Sequence, residues 1–307
     1  MPTRPDNSPE IALGAIFKNE GPYILEWVAF HRVLGIQKFF IADNNSDDGT
    51  TDLLSALDGL GLVSHLHFPY VPDRPPQLPA YAAIMKRYGR EADWIGFIDA
   101  DEFLVPTDGS RTIAPMFTNF GGNVGAVVVN WAVYGSSNRR RPSQGLVVER
   151  FAMRAHDQFR ENFHYKTIVR ASAYARPGGN PHQFRLRWGF RTVHADGGQL
   201  TYHPERGGGL SDVVHTVPLR LHHYVVKSRA EFDRKKSPRG SATVLSRKKG
   251  EAYFRHHDRN DINAPMPNWI VEHTNEEMER IRQQLRSVGC DDAITDLDHA
   301  IVSLEPL

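Results

Sequence analysis

Trp94-Ile95-Gly96-Phe97-Ile98 runs without a polar side chain and then stops in Asp99-Ala100-Asp101-Glu102. Continuous rather than alternating hydrophobicity predicts a strand buried on both faces, as in a mostly parallel sheet covered by helices. In such sheets ligands gather at the carboxyl ends of the strands, where these acids would stand. Carboxylates on either side of the small Ala100 can converge on one hard cation, which prefers oxygen ligands. A cation held there would grip a diphosphate and neutralise charge as the bond to it breaks. The competing role is an acidic turn that meets water or caps a helix. Against it, Phe103-Leu104-Val105 follow at once, so apolar sequence flanks the acids on both sides.

Upstream, strands and helices alternate in the manner of βαβ units. Residues 11–17 predict a buried strand that ends at Lys18-Asn19-Glu20-Gly21-Pro22, and residues 23–34 a helix stopped by Gly35. A second strand is expected over 38–42, running into Asp43-Asn44-Asn45-Ser46-Asp47-Asp48-Gly49-Thr50. A short helix to Leu60, a third strand over 63–68 and a helix over 81–88 complete the first half. Downstream, residues 125–131 predict a fifth strand leading to Tyr134-Gly135-Ser136-Ser137-Asn138. Past residue 142 the pattern loosens into short strand-like runs at 146–148, 167–169 and 213–221. Residues 275–285 have the helical periodicity and charge of a surface helix.

A chain of 307 residues can bury a core as one large domain, or as one domain with an appendage. A formal net charge of +1 gives no overall drive toward nucleic acid or anionic membranes. The single cysteine, Cys290, cannot close an intrachain disulfide, which suits a reducing cytoplasm. The first ten residues are polar and lack the apolar segment of a signal peptide. No run approaches the length of a membrane-spanning helix. The expectation is a cytoplasmic protein, with peripheral contact at the inner membrane face left open. The expected organisation is a disordered tail over 1–10, an α/β domain over 11–240 and a helical extension over 241–307.

If the strands are parallel, the loops at Lys18-Asn19-Glu20, at 43–50 and at 99–102 open on one sheet edge. Asp43 is an acceptor suited to a nucleobase N–H or a ribose hydroxyl, though it could equally close its own turn. Glu20 fits an ordinary acidic helix start as well as a ligand contact.

These motifs resemble the family-2-like glycosyltransferases. The subgroup they match has a Lys-Asn-Glu loop (here Lys18-Asn19-Glu20, with Glu26-Trp27 and His31), an Asn-Ser-x-Asp-Gly-Thr loop (Asn45 to Thr50) and Asp-x-Asp-Glu-Phe (Asp99 to Phe103). Further matches follow in order: Trp131 with Gly135-Ser136-Ser137, Glu149-Arg150-Phe151, Lys166 to Arg170, His182 and His223-Tyr224. The last are Lys227-Ser228, Glu231-Phe232 and Lys235-Lys236 before Arg239-Gly240, so the resemblance spans residues 11–240. It implies an α/β fold of the GT-A type, a Rossmann-like nucleotide-sugar-binding sheet with a mixed, loop-rich C-terminal half. It also implies sugar transfer to an acceptor hydroxyl with inversion. The donor would be a nucleotide-diphospho-sugar, UDP favoured, and the acceptor a glycan or glycolipid. By the same resemblance Asp43 would contact the base or ribose, with Lys18, Glu20 and Asn45 from the neighbouring loops. Asp99 would address the ribose or the metal, Asp101 would bind Mn2+ or Mg2+, and His223 would complete the metal shell.

The catalytic base stays open among Glu149, Asp157 and Asp196, each with a structural alternative: an ion pair with Arg150, a solvated loop and a turn. His182 is weighed as a ligand or as a hydrogen-bonded packing residue. Adjacent His222 and His223 on a strand would point to opposite faces, so at most one can face the cleft. The basic run from Lys227 to Lys249 suits either a solvated face or a lid over the diphosphate, with Lys227, Lys236 or Arg239 in contact. Nucleic acid is not expected, since only Phe232 offers a stacking face near its centre. A phosphatase using Asp-x-Asp, a nucleotidyltransferase and a non-catalytic binding module of the same fold are the competitors.

Overall fold

The computed structural model describes residues 8–205, 207–236 and 249–290, with Lys236 as backbone only. A central sheet is built from β1 (Ile11–Phe17), β2 (Lys38–Asp43), β3 (Ser64–His67), β4 (Trp94–Phe97), β5 (Glu102–Pro106), β6 (Val124–Val133), β7 (Tyr165–Arg170), β8 (Arg191–His194) and β9 (Leu219–His223). Its order is β3-β2-β1-β4-β7-β6-β9-β5, with β8 pairing the first half of β6. The strands β1 to β4 are parallel, as their unbroken hydrophobicity demands. β7 runs antiparallel between β4 and β6, and β5 antiparallel to β9 at the end of the sheet.

Helices α1 (Gly21–Val33), α2 (Thr50–Gly59) and α3 (Gln77–Tyr88) cover the parallel half. Alternate residues of the strands divide the core. Leu13, Ala15, Phe17, Phe39 and Ile41 share one cluster with α1 and α2, while Ala12, Phe40, Ala42, Ile95 and Phe97 share another with α3. A long helix α4 (Asn268–Ser287) lies against α1, placing Ile270, Ile281 and Leu285 in the first cluster and pairing Glu277 with Arg32 at 2.7 Å. No helix among the described residues is long and apolar enough to cross a membrane.

Several local expectations needed correction. Residues 146–148 form no strand; Val147–Arg150 is a short helix. The buried Glu26 carboxylate of α1 accepts the N–H groups of Val147 (2.7 Å) and Val148 (3.1 Å), satisfying donors that a helix start leaves open. Phe103-Leu104-Val105 belong to β5, an edge strand whose free side is held by α1. There Trp27 Nε1 donates to Glu102 O (3.0 Å), and Leu104 N–H donates to His31 Nε2 (3.2 Å). The strand expected over 213–221 begins only at Leu219. α3 starts at Gln77, before Pro79, because first-turn N–H groups have no helical partner to lose.

Gly14 of β1 lies opposite Phe97 in register. A Cβ there would stand 2.7 Å from the Phe97 ring, which is itself packed against Tyr81 and Phe184 and cannot yield. Gly14→Val is expected to cost ~1–3 kcal/mol through overpacking, measured by urea denaturation; an unchanged midpoint would contradict this packing.

Candidate functional site

The carboxyl ends of β1 and β2 are laced into one surface. Asn19 and Asp47 exchange hydrogen bonds, Nδ2 to Oδ1 at 2.6 Å and Asp47 N–H to Asn19 Oδ1 at 3.0 Å. Asn19 N–H donates to Ser46 Oγ, and Glu20 N–H to Thr50 Oγ1. Lys18 Nζ donates to the carbonyls of Asn44 and Asn45 at 3.2 and 3.0 Å. Asn19 and Asn45 both take positive φ, the left-handed region that asparagine tolerates best after glycine. Asp43 is fully buried and engaged within its own loop, accepting from Ser46 N–H, Ser46 Oγ and Thr51 Oγ1. Burial works against its charge, but those bonds and His65 hold its carboxyl well below the usual range.

At the end of β4 the acids meet a cation supplied by β7. Lys166 Nζ, 2% exposed, lies 2.9 Å from Asp99 Oδ2 and 3.2 Å from Glu102 Oε2. Asp99 Oδ1 accepts from Gln77 Nε2 at 2.9 Å, and Asp99 N–H donates to Glu102 Oε2 at 2.7 Å. Burial raises the Glu102 carboxyl to about 8 while Lys166 pulls it down. Burial also disfavours charge on Lys166, but Asp99 and Glu102 outweigh it and keep the ammonium protonated well above its ordinary range. Lys166 and Gln77 are site residues that sequence reasoning did not assign. The signal for Lys166 was present, since a lysine two residues before Ile168-Val169 on a central strand needs a buried partner.

Asp101 turns the other way, toward β9. Its Oδ1 is 3.6 Å from His223 Nε2, too long for a direct hydrogen bond and suited to two donors facing one ion. Trp131 packs on His223 with ring centroids 4.3 Å apart and stacks on His164 at 4.8 Å. His182 stands against the same indole at 5.4 Å, its Nδ1 2.8 Å from Tyr165 O; burial and Lys166 drive its pKa well down, leaving a neutral ring. Among the described residues no group of three or more His, Cys, Asp or Glu is arranged to hold a metal ion. Asp101 and His223 offer one oxygen and one nitrogen donor, so a divalent cation fits there only if ligand oxygens or water complete its shell.

The remaining predicted residues lie elsewhere. Exposed Glu149 sits on the short helix beside Gly145, and Arg150 pairs instead with buried Glu231 at 3.1 Å. Asp157 is clamped between Arg154 (2.8 Å) and Arg220 (2.5 Å); Arg220 and His222 alternate with His223 along β9, on its other face. Asp196 accepts from Gly198 N–H in a turn and lies 2.7 Å from His215 Nδ1. Lys227 is buried with its ammonium 4.2 Å from the centre of the Tyr23 ring, and Lys235 pairs with Glu20. Arg239 and the Lys236 side chain lie outside the described residues.

Removing the β7 cation leaves two carboxylates facing each other, one of them buried. Lys166→Met should lower unfolding free energy by ~3–5 kcal/mol at pH 8, the cost of breaking a buried pair. Because Lys166 pulls the folded-state pKa of Glu102 down to about 8, its removal raises that pKa further, so the loss grows as pH rises through 8 and shrinks below it, where the carboxyl is protonated in both proteins. An equal loss at pH 6 and pH 9.5 in urea melts would sink this account.

The family model for glycosyltransferase family 92 matches residues 14–284. A glycosyltransferase family 92 protein of Ricinus communis is 32% identical over 196 residues, covering 62% of this chain and 34% of the relative. One of Oryza sativa subsp. japonica is 28% identical over 195 residues, covering 60% and 31%. The chain thus spans about a third of the length of the relatives it matches. Among solved structures, S. aureus TarS 1-349 in complex with UDP aligns with a TM-score of 0.34 at 13% identity, covering 53% of this chain and 47% of that one. Glucosyl-3-phosphoglycerate synthase from Mycobacterium tuberculosis with Mn2+, UDP and glucosyl-3-phosphoglycerate aligns at 0.28 with 18% identity, covering 43% and 50%. With the matched residues reaching from β1 to α4, this chain belongs to glycosyltransferase family 92.

Proposed function

We propose that this chain moves a sugar from a nucleotide-diphospho-sugar, UDP-sugar favoured, to a hydroxyl of a glycan or glycolipid, on a sheet of the GT-A type. The observation that carries the reading is the meeting of Asp99, Asp101, Lys166 and His223 at the edge where the β1 and β2 loops also open. In the transfer the acceptor oxygen bonds to the anomeric carbon as the bond from that carbon to the phosphate oxygen breaks. The electron pair leaves with the nucleoside diphosphate, and the acceptor proton passes to a base. In-line attack inverts the anomeric centre.

Within this reading the roles of the acids differ. Asp99, held by Lys166 and Gln77, is a fixed acceptor for ribose hydroxyls. Asp101 and His223 would hold Mn2+ or Mg2+, which supplies charge neutralisation at the departing diphosphate. Lys166 and Gln77 keep Asp99 aimed, the preorganisation on which electrostatic stabilisation depends. A second reading, a nucleotide-sugar-binding module without turnover, draws on Asp157 and Asp196, which are engaged by Arg154, Arg220 and His215.

A thermal-shift panel of UDP, GDP, CDP and dTDP with and without Mn2+ tests donor and metal together. A ligand at a hundredfold its Kd adds about 2.7 kcal/mol of stability. The expected outcome is a shift with UDP that grows with Mn2+, and no shift with any nucleotide would refute the reading. Asp101→Ala and His223→Ala should each weaken Mn2+-dependent UDP binding at least tenfold by calorimetry, Asp101→Ala with the melting temperature of the unliganded protein in place and His223→Ala with a lower one from the lost packing on Trp131. Release of UDP from UDP-sugar in the presence of acceptor separates the transferase from the binding module.

A further inference from the structure

We propose that the turn around Trp188, between the strands Phe184–Leu186 and β8, is a docking surface for an anionic lipid bilayer. Trp188 is 100% exposed, at the tip of Arg187-Trp188-Gly189-Phe190. The turn that presents it is firmly built. Arg187 N–H donates to Ala173 O (2.8 Å), Phe190 N–H donates to Arg187 O (3.3 Å), and Gly189 supplies the positive φ of 86°. Phe190 and Leu186 point inward, lying where a Cβ on Gly125 would collide with them at 2.7 and 3.1 Å. The indole is therefore held out in water by a hydrogen-bonded turn, and among the described residues nothing covers it.

Charge names the occupant. Arg187 lies in the turn with its Nε donating to Tyr174 O (3.2 Å), Arg185 and Arg191 lie on the strands on either side of it and Arg176 on the strand paired with Arg185, all exposed, and among the described residues none of them forms an ion pair with a carboxylate. Arg176 and Arg185 stand directly opposite each other where Tyr174–Pro177 pairs with Phe184–Leu186. Like charges in that position weaken a strand pair, and an anionic partner would relieve the repulsion. A tryptophan with arginine heads around it is the chemistry of the bilayer interface, where the ring enters the headgroup layer and the guanidiniums meet lipid phosphates. Single-stranded nucleic acid would call for successive stacking faces, and the tip carries one. The tip sits at the end of the sheet remote from the acids, since Arg191 pairs with Val124 at the start of β6 and Arg170 with Trp94 at the start of β4. Docked this way, the cleft faces away from the bilayer, so the acceptor that reaches it is a glycan in solution and not a lipid of the same bilayer.

The test is cosedimentation of the purified full chain with vesicles of phosphatidylcholine alone or with one third phosphatidylglycerol. Binding to the anionic vesicles only, weakened as salt rises to about 0.5 M, is expected. Arg185→Gln with Arg191→Gln should lose about 25-fold, roughly fivefold per arginine. Trp188→Ala should weaken binding and abolish the blue shift of indole emission on vesicle addition. Nucleotide-induced thermal shifts should be unchanged in these variants, which keeps this proposal separable from the transferase reading. Failure of the parent protein to bind anionic vesicles, equal binding by the variants, or preference for polyuridylate over the vesicles would each overturn it.

Discussion

One buried ammonium group organises the acidic edge of this sheet. Lys166 enters on β7, which is wedged antiparallel between β4 and β6, and so reaches the end of β4 from the side opposite β1. Its charge has no access to water and is tolerated only because Asp99 and Glu102 flank it. The pairing also fixes what the acids can do. Asp99 becomes a rigid acceptor, Glu102 a buried structural group, and Asp101 alone is turned toward His223. The two aspartates of Asp99-Ala100-Asp101 therefore differ in environment although the sequence presents them as equivalents.

Helix α1 performs the corresponding work for the flank of the site. Trp27 and His31 hydrogen-bond the backbone of β5, the strand that follows the acids directly. Burial drives the His31 pKa down to about 3, so the ring is neutral; its Nδ1, 2.8 Å from Trp27 O, carries the proton and leaves Nε2 to accept from Leu104. Glu26 anchors the loop at Val147, with its pKa raised to about 7 by burial. Residues that accompany the Lys18-Asn19-Glu20 loop in the family resemblance thus hold neighbouring backbone in place. Glu231 plays a similar part, capping its own short helix through Ser228 while pairing with Arg150 and receiving the Tyr23 hydroxyl.

The amino-acid sequence by itself determined the parallel strands, the helices between them and the edge at which the acidic loops open. Those features follow from local periodicity and from glycines and polar breaks, which neighbouring residues settle among themselves. It did not determine β5, because a five-residue apolar run reads equally as a strand or as a buried loop until α1 supplies its hydrogen bonds. Nor did it assign the carboxylates. Glu149, Asp157 and Asp196 were equivalent candidates in sequence, and only the folded chain sets Asp157 between two arginines and Asp196 in a turn beside His215. Charge pairing between residues far apart in the chain depends on strand order, and strand order is a property of the tertiary structure.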